Sequence, residues 1–599
     1  MKPIRKILVA NRGEIARRIF RACDELGIAT AAVYSDADRD APHVRDAREA
    51  VFIGPAPSRD SYLSIEKILA AAGRSGADAI HPGYGFLAEN AEFAAACEEA
   101  GITFIGPRSE TIRALGSKIE ARKIAERAGV PVVPSEGFPL LVKAAAGGGG
   151  KGMRRVDRAE DLDEAMAAAK REAEAAFGDG RLLVERYIEG ARHIEVQIVG
   201  DAFGNVMHMF ERECSIQRRH QKIIEESPAA NLAPELRAEI LDAAVRIGHE
   251  IAYSSLGTVE FLLAPIGEFY FLEVNTRIQV EHPVTEMILG RDLVRMQIEI
   301  AEGRVLEAED LTPRGHAIEA RLYAEDAENV VPSTGRILAW RAPQGVRVES
   351  GIEVGSEIGI HYDPLLAKII ARAATRVEAI RKLRRALEDL LVHGVITNRE
   401  FLVCVLDHAD FIDGRASTDF AIPFAHDRSG EAESKAALDA YLSGQRQASR
   451  AILLHVPAGY RNNPIGAELR SETRIVSTGA GNVRAEIDGV QREYVISEDA
   501  GHYWVNGHIF PRVPRYPASG RRASRESASS PMPGQVLRIL VTQGSEVRIG
   551  DPLVVLEAMK MEQTIYAHAE GIVDQILVAT GQVVAPGQTL VRISSKETV

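Results

Sequence analysis

Three oxygen-bearing residues in two neighbouring apolar stretches could bind a divalent cation. Glu260 lies within Val259–Leu262, and Glu273 and Asn275 lie within Phe271–Asn275. Both stretches alternate polar and apolar residues around a turn signal, which predicts a β-hairpin. Acids on such strands ordinarily face solvent, but two opposed glutamates repel each other unless a cation neutralises them. A set of purely oxygen ligands favours Mg²⁺ that bridges phosphate groups.

A glycine-rich loop upstream could hold those phosphates. Gly147-Gly148-Gly149-Gly150-Lys151-Gly152 follows an apolar stretch, 140–142, and precedes a helical pattern at 159–175. Consecutive glycines let several backbone N–H groups converge on one anion, and Lys143 and Lys151 add positive charge. No Ser or Thr follows the lysine, so the loop is not a P-loop. A plain linker is the alternative, but this position favours a nucleotide lid.

A third feature is Lys560, within Glu557-Ala-Met-Lys-Met561. It lies between two segments that repeat at an offset of 37 positions, as in Gly534 and Gly571, so two copies of one β unit are predicted. The lysine then lies at a hairpin tip, where most lysines are only solvated charges. The two flanking methionines, which we expect to be exposed, have no obvious packing use there.

This C-terminal segment resembles the biotinyl domain of biotin-dependent carboxylases. The signature Ala-Met-Lys-Met stands at 558–561, and Pro531-Met-Pro-Gly534 precedes it. The resemblance implies that Lys560 carries covalently bound biotin.

The upstream chain is identified as a member of the biotin carboxylase family, which has an ATP-grasp fold. The motifs are the turns at 11–16 and 81–90, Arg218-Arg-His-Gln-Lys222, and the stretch 277–286 from Arg277 to Glu286. The family reaction couples ATP cleavage to carboxylation of biotin by bicarbonate. The implied cofactors are biotin, ATP and Mg²⁺ (or Mn²⁺).

The resemblance implies a role for each matching residue. Glu281 is the implied base for bicarbonate, and Arg347 stabilises charge on the biotin ureido oxygen. The implied bicarbonate pocket consists of Lys222, Arg277, Gln279 and Val280, and the metal ligands are Glu260, Glu273 and Asn275. The implied ATP-binding residues are Lys118, Lys143, Gly147, Gly148, Gly149, Gly150, Lys151, Gly152, Glu185, Ile188, His193, Gln217, His220 and Leu262.

We therefore predict an α/β multidomain protein that ends in an all-β domain. The predicted domains are a three-layer α/β pre-ATP-grasp domain (1–116), an ATP-grasp domain with its lid (117–310), a carboxylase C-terminal domain (311–428), a carboxyltransferase-docking domain (429–514), a flexible linker (515–530) and a flattened-barrel biotinyl domain (531–597). The linker assignment follows from its Ser, Arg, Ala and Pro content, which is too polar to form a core.

Composition limits the partners and the location. The 599 residues carry a net charge of −13 and four separated cysteines, so we expect no nucleic-acid partner and a reducing compartment, the cytoplasm. The sequence has no long apolar run, so we expect no membrane span. The first predicted strand begins too soon to leave room for a targeting peptide, which also favours the cytoplasm. The resemblance implies a carboxyltransferase β subunit and biotin protein ligase as partners, in a hetero-oligomer such as a dodecamer.

Two departures from the family leave alternatives open. Only Ser135-Glu136 bridges 134 and 137, where the family has a longer stretch, and 457–485 is also short. The leading hypothesis is the α subunit of an acyl-CoA carboxylase, with methylcrotonyl-, propionyl- and acetyl-CoA as open substrates. The alternatives are a biotin subunit of a two-component pyruvate carboxylase or related ligase, and a carrier or scaffold subunit with an impaired ATP site.

Overall fold

The computed structural model describes residues 3–145, 153–219, 221–307, 311–426, 430–448, 473–479, 481–499, 501–512, 527–559 and 561–594. Within these ranges no helix is long and apolar enough to cross a membrane.

The N-terminal unit is a parallel five-stranded sheet in the order β3-β2-β1-β4-β5, with helices on its faces. Its elements are β1 Lys6–Val9, α1 Gly13–Leu26, β2 Ala29–Ser35, α2 Pro42–Asp46, β3 Glu49–Gly54, α3 Ile65–Ser75, β4 Ala79–His81, α4 Ala91–Glu99, β5 Thr103–Phe104 and α5 Ser109–Gly116. Strands β1 and β4 are neighbours at the point where the strand order reverses. The loops that follow these two strands flank the position at which open α/β sheets bind ligands. Asn11 ties the two loops together by donating to the carbonyls of Pro82 and Tyr84, at 2.8 and 2.7 Å.

A small lid sheet follows, in the order β7-β6-β8. Its elements, with the preceding helix, are α6 Lys118–Arg127, β6 Leu140–Ala144, β7 Arg154–Val156, α7 Leu162–Phe177 and β8 Leu182–Arg186. Residues on either side of the short Ser135-Glu136 bridge are hydrogen-bonded to the end of β8. The N–H groups of Arg186 and Tyr187 donate to the carbonyls of Pro134 and Pro139, both at 2.7 Å.

The centre of the molecule is one eight-stranded antiparallel sheet in the order β13-β12-β9-β10-β11-β14-β21-β19. Its first part comprises β9 Arg192–Gly200, β10 Val206–Arg218, β11 Gln221–Ser227, α8 Pro234–Glu250, β12 Ser255–Leu263, β13 Phe269–Asn275, α9 His282–Leu289 and α10 Leu293–Ala301. Its second part comprises β14 His316–Tyr323, β15 Glu325–Asp326, β16 Val331–Pro332, β17 Gly335–Arg336, β18 Ala339–Arg341, β19 Arg347–Ser350, β20 Glu357–Ile358, β21 Leu365–Ala373, α11 Arg376–Asp389, β22 Leu391–His393, α12 Arg399–Asp407 and α13 Ala409–Ile412.

The predicted boundary at 310 therefore does not separate two sheets. Strand β11 pairs with β14 through residues Ile224 to Ser227, so the ATP-grasp and C-terminal segments share one hydrogen-bonded ladder. Arg376–Asp389 forms the surface helix α11. This helix buries Ile380, Leu383 and Leu387 against the sheet, and a capping box of Thr375 and Glu378 starts it.

The next unit packs one helix on an antiparallel sheet in the order β23-β24-β25-β26-β27. Its elements are α14 Glu431–Ala448, β23 Thr473–Thr478, β24 Asn482–Ile487, β25 Val490–Glu498, β26 His502–Val505 and β27 His508–Pro511. Most of the short stretch 457–485 lies outside the described residues.

The C-terminal unit consists of two four-stranded sheets, β28-β35-β33-β30 and β32-β31-β29-β34. The strands are β28 Ser527–Ser529, β29 Gly534–Ile539, β30 Glu546–Val547, β31 Pro552–Ala558, β32 Met561–Tyr566, β33 Gly571–Ile576, β34 Val583–Val584 and β35 Thr589–Ser594. The repeated segments β29 and β33 lie in different sheets, as two copies around a shared core require. Because β28 pairs with β35, the predicted linker of 515–530 is too long at its C-terminal end.

Candidate functional site

A cleft of about 1120 Å³ lies between the β1 and β4 loops, the lid sheet and the central sheet. Most of the predicted site residues line it together: Lys118, Lys143, Glu185, Ile188, His193, Gln217, Lys222, Glu260, Leu262, Glu273, Asn275, Arg277, Gln279 and Val280. The predicted residues 147–152, His220 and Lys560 lie outside the described residues.

The predicted metal ligands are on adjacent strands and in register. Glu260 on β12 lies directly opposite Glu273 on β13, and Asn275 donates to Glu260 Oε1 at 2.8 Å. On its other side Glu260 lies opposite Glu195 of β9, so three carboxylates form a row across three neighbouring strands. Burial, and then the charge of Glu260, raise the pKa of Glu273. Such a row of hard oxygen donors fits Mg²⁺ or Mn²⁺ at the Glu260–Glu273 end.

At the Glu195 end of this row the positive charge comes from the side chain of Lys222. The Nζ of Lys222 donates to Glu195, Glu260 and Glu281 at 2.5, 2.8 and 2.8 Å. Burial opposes the charge on Lys222, but these carboxylates outweigh it and raise its pKa well above the usual value. Ligand atoms of His193, Glu195 and Glu260 also lie within 4.8 Å of one another, but Lys222 contacts both of these glutamates.

Glu281, the predicted base, is fully buried behind Lys222. Arg321 Nη2 donates to its second oxygen at 2.9 Å. Burial favours the neutral acid, but Lys222, Arg321 and the buried Arg212 hold the pKa of Glu281 well below its usual value. In the ligand-free chain Glu281 is therefore ionised, and its affinity for a proton depends on these three positively charged side chains.

Arg277 presents a guanidinium at the predicted bicarbonate pocket. Its Nε donates to Glu89 at 2.9 Å, Nη1 to Gln279 Oε1 at 2.5 Å, and Nη2 to Asn275 Oδ1 at 2.9 Å. These contacts fix the plane of the guanidinium beside the metal ligands, and a planar fork of this kind suits a carboxylate-like anion.

Ion pairs and hydrogen bonds fix several predicted nucleotide-binding residues to one another and to neighbouring side chains. Lys143 pairs with Glu185, which also accepts from Arg122 Nη1 at 3.3 Å. His193 Nε2 lies 3.0 Å from Glu260 Oε2, and its Nδ1 lies 3.0 Å from Gln217 Nε2. Burial lowers the pKa of Lys118.

Arg347 does not line this cleft. Its Nε donates to Glu349 at 2.6 Å, and its Nη2 lies 2.7 Å from Glu286. Two carboxylates thus hold the guanidinium beside β19, and its predicted contact with biotin stays a prediction.

The sequence analysis missed Glu195, Arg212 and Arg321, all of which support the site. Arg212 lies opposite Glu195 on β10 and donates to it at 2.5 Å. The alternation of His193, Glu195 and Gln197 along one strand face was a usable signal for Glu195. The sequence offers no comparable signal for Arg321, because its distance from Glu281 depends on how distant strands pair.

The expectation that the methionines flanking Lys560 are both exposed is wrong for Met559. This side chain is 2% exposed, because the hairpin tip packs against the carboxylase segment, where Met559 N–H donates to Ile360 O at 2.9 Å.

Family models match four segments of the chain. They are described as "Biotin carboxylase, N-terminal domain" at residues 3–112, "Carbamoyl-phosphate synthase L chain, ATP binding domain" at 93–309, "Biotin carboxylase C-terminal domain" at 319–421 and "Biotin-requiring enzyme" at 526–593.

Curated relatives match nearly the full length. The mitochondrial methylcrotonoyl-CoA carboxylase subunit alpha of Oryza sativa subsp. japonica is 38% identical, covering 99% of this chain and 95% of the relative. The biotin-dependent acyl-coenzyme A carboxylase alpha3 subunit of Mycobacterium leprae is 41% identical, covering 98% of each. The rice alignment spans 697 positions against 599 residues here, so that relative contains segments that this chain lacks.

Solved structures match about 70% of the chain. The biotin carboxylase–β-γ-ATP complex of Campylobacter jejuni is 43% identical with a TM-score of 0.69, covering 70% of this chain and 98% of that one. The biotin carboxylase domain of the Hydrogenobacter thermophilus 2-oxoglutarate carboxylase, in complex with MgADP, ADP and bicarbonate, is 45% identical with a TM-score of 0.68. It covers 70% of this chain and 100% of that one.

Proposed function

The chain belongs to the biotin-dependent carboxylases, and we propose that the cleft around Glu260, Glu273 and Lys222 is where it carboxylates biotin borne on Lys560. It is an ATP-dependent biotin carboxylase joined to a biotin carrier domain, homologous to the α subunits of methylcrotonoyl-CoA carboxylases. The predicted family, fold class, reaction and cofactors are thereby confirmed.

In the proposed site, Glu260 and Glu273 hold Mg²⁺ with Asn275 beside them. The ion supplies positive charge that offsets the charge developing on the transferred phosphoryl group. Lys118, Lys143 and the predicted lid glycines hold the nucleotide, and Lys143 is kept in place by Glu185.

Bicarbonate occupies the pocket of Arg277, Gln279 and Val280, beside Lys222. Glu281 takes the proton of bicarbonate as a bicarbonate oxygen attacks the γ-phosphate of ATP, and ADP leaves, so that carboxyphosphate forms. In the free chain the low pKa of Glu281 makes it a weak base, because Lys222 lies against it. A bound anion draws the Lys222 charge away from Glu281, which raises the affinity of Glu281 for the proton at the step that needs it.

Relatives named as α subunits support a carboxyltransferase β partner, whereas the ligase and the oligomer rest on the family resemblance alone. We propose a separate carboxyltransferase β subunit, a biotin protein ligase that modifies Lys560, and a hetero-oligomer such as a dodecamer. Methylcrotonoyl-CoA is the first acyl substrate to test, since that name recurs among the curated relatives. The cytoplasmic location stays a prediction.

The observation that carries the proposal is the row of carboxylates Glu195, Glu260 and Glu273. Lys222 donates to the row at the Glu195 end, and at the other end the pKa of Glu273 is raised. The test is ADP release by the purified chain with free biotin, ATP and Mg²⁺. Release should require bicarbonate, and Glu281→Gln should lower it by about 10²-fold or more while ATP still binds. No bicarbonate-dependent release by the wild type would favour a scaffold, and a fully active Glu281→Gln variant would contradict the base assignment.

A further inference from the structure

The hairpin that carries the biotinylation signature has an unusually buried tip. Ala558 of β31 pairs with Met561 of β32, so Met559 lies just beyond the last residue pair of the hairpin. Met559 has a positive φ of 50°, as tight hairpin turns require. A free turn of this kind exposes its side chains, yet Met559 is only 2% exposed.

The contact that covers the tip comes from the carboxylase C-terminal segment. Ile360, in the loop between β20 and β21, accepts the Met559 N–H at 2.9 Å. Ile360 and Val331 of β16 also pack against the apolar core of the biotinyl domain. We refer to Val331 and Ile360 as the carrier ledge.

The ledge lies beside a second, smaller cavity of about 160 Å³, which Val330, the residue before Val331, helps to line. The other lining residues include Met561 and Glu562 of the carrier and Arg218, Arg219 and Tyr323 of the carboxylase. The last three residues also line the large cleft. Met561, the residue after Lys560, thus lies next to the predicted nucleotide site.

We propose that the carrier ledge is the surface on which the chain's own biotinyl domain docks while Lys560-bound biotin is carboxylated; this inference rests on the proposed function. The hydrogen bond recognises the backbone of the turn, and two apolar side chains supply the packing. Such a small contact binds weakly, as suits a domain that must leave for a second active site.

The test uses the biotinylated full-length chain and two readouts. One is the rate at which label from bicarbonate appears on Lys560, and the other is the rate of free-biotin carboxylation. An aspartate at the ledge must lose its hydration when the carrier docks. Ile360→Asp and Val331→Asp should therefore slow labelling of Lys560 by about tenfold or more, equivalent to about 1.4 kcal/mol, and leave the free-biotin rate unchanged.

Two further variants serve as controls. Ile360→Leu keeps an apolar side chain and should label Lys560 at the wild-type rate. Val354→Asp places the same charge at a 63% exposed valine of the same segment and should leave both rates unchanged. Unimpaired Lys560 labelling in both ledge variants would overturn the proposal, and so would an equal loss of both reactions. A wild type that fails to carboxylate free biotin would contradict the proposed function instead.

A mixed complex distinguishes the chain's own carrier from that of a second copy. Lys560→Arg and Glu281→Gln chains are co-expressed, so that every biotin sits on a chain with an impaired carboxylase. Same-chain docking predicts that Lys560 stays at the background labelling of Glu281→Gln alone. Labelling at the wild-type rate would overturn the same-chain assignment.

Discussion

The ammonium of Lys222 lies 2.8 Å from the buried carboxylate of Glu281, and it also donates to Glu195 and Glu260. One cation therefore holds together the proposed base and one proposed metal ligand. In the proposed mechanism a bound anion draws this charge away, which raises the proton affinity of Glu281 and changes the charge around Glu260.

Lys222→Met should destabilise the chain strongly. The substitution leaves three carboxylates without their shared partner, and an uncompensated buried charge costs about 3–5 kcal/mol. The measurement is the free energy of unfolding in urea. Lys435→Met is the matched control, since its 2.6 Å pair with Asp439 is exposed and worth about 1 kcal/mol or less. Equal losses in the two variants would contradict the shared-cation account.

Glu273→Gln should stabilise the metal-free chain and impair catalysis. The neutral amide removes the repulsion from Glu260 opposite, so the thermal midpoint without Mg²⁺ should rise. The same change removes a charged ligand, so half-maximal ADP release should need more Mg²⁺. A lower midpoint with an unchanged Mg²⁺ requirement would show that Glu273 is not a metal ligand.

The alternation of acids and apolar residues in two stretches was sufficient to predict that Glu260 and Glu273 face each other, because register follows from the pattern and the turn. Arg277, Gln279 and Val280 were predicted through the family resemblance, and they lie near these strands because they follow β13 directly in the chain. These are local relationships, and the sequence encodes them locally.

The remainder of the site depends on pairings between distant segments. Arg321 reaches Glu281 only because β14 pairs with β11 in the same sheet, and no residue pattern predicts that pairing. Met559 is likewise buried by a contact with Ile360 in another domain, so an analysis of its own hairpin predicts exposure.

His81 should make stability depend on pH. Burial lowers its pKa from 6.5 to about 3, so between these values the unfolded chain binds a proton that the folded chain does not. The contribution is complete above pH 6.5 and is lost as the pH falls toward 3. At about pH 5 the wild type should have lost on the order of 2 kcal/mol through this group relative to about pH 7.

The check is the urea unfolding free energy at both pH values. His81→Gln should show a smaller loss on acidification than the wild type, while His502→Gln, at an exposed position, should behave like the wild type. Parallel losses in all three proteins would exclude His81 as the source.

The central claim is that this polypeptide carboxylates the biotin on its own carrier lysine. The most direct measurement is the transfer of labelled bicarbonate to the biotinylated chain in the presence of ATP and Mg²⁺, followed by isolation of the labelled peptide. We predict label on the Lys560 peptide, matched by ADP release, and none in Lys560→Arg. ADP release without label on Lys560, or label that persists in Lys560→Arg, would contradict the account.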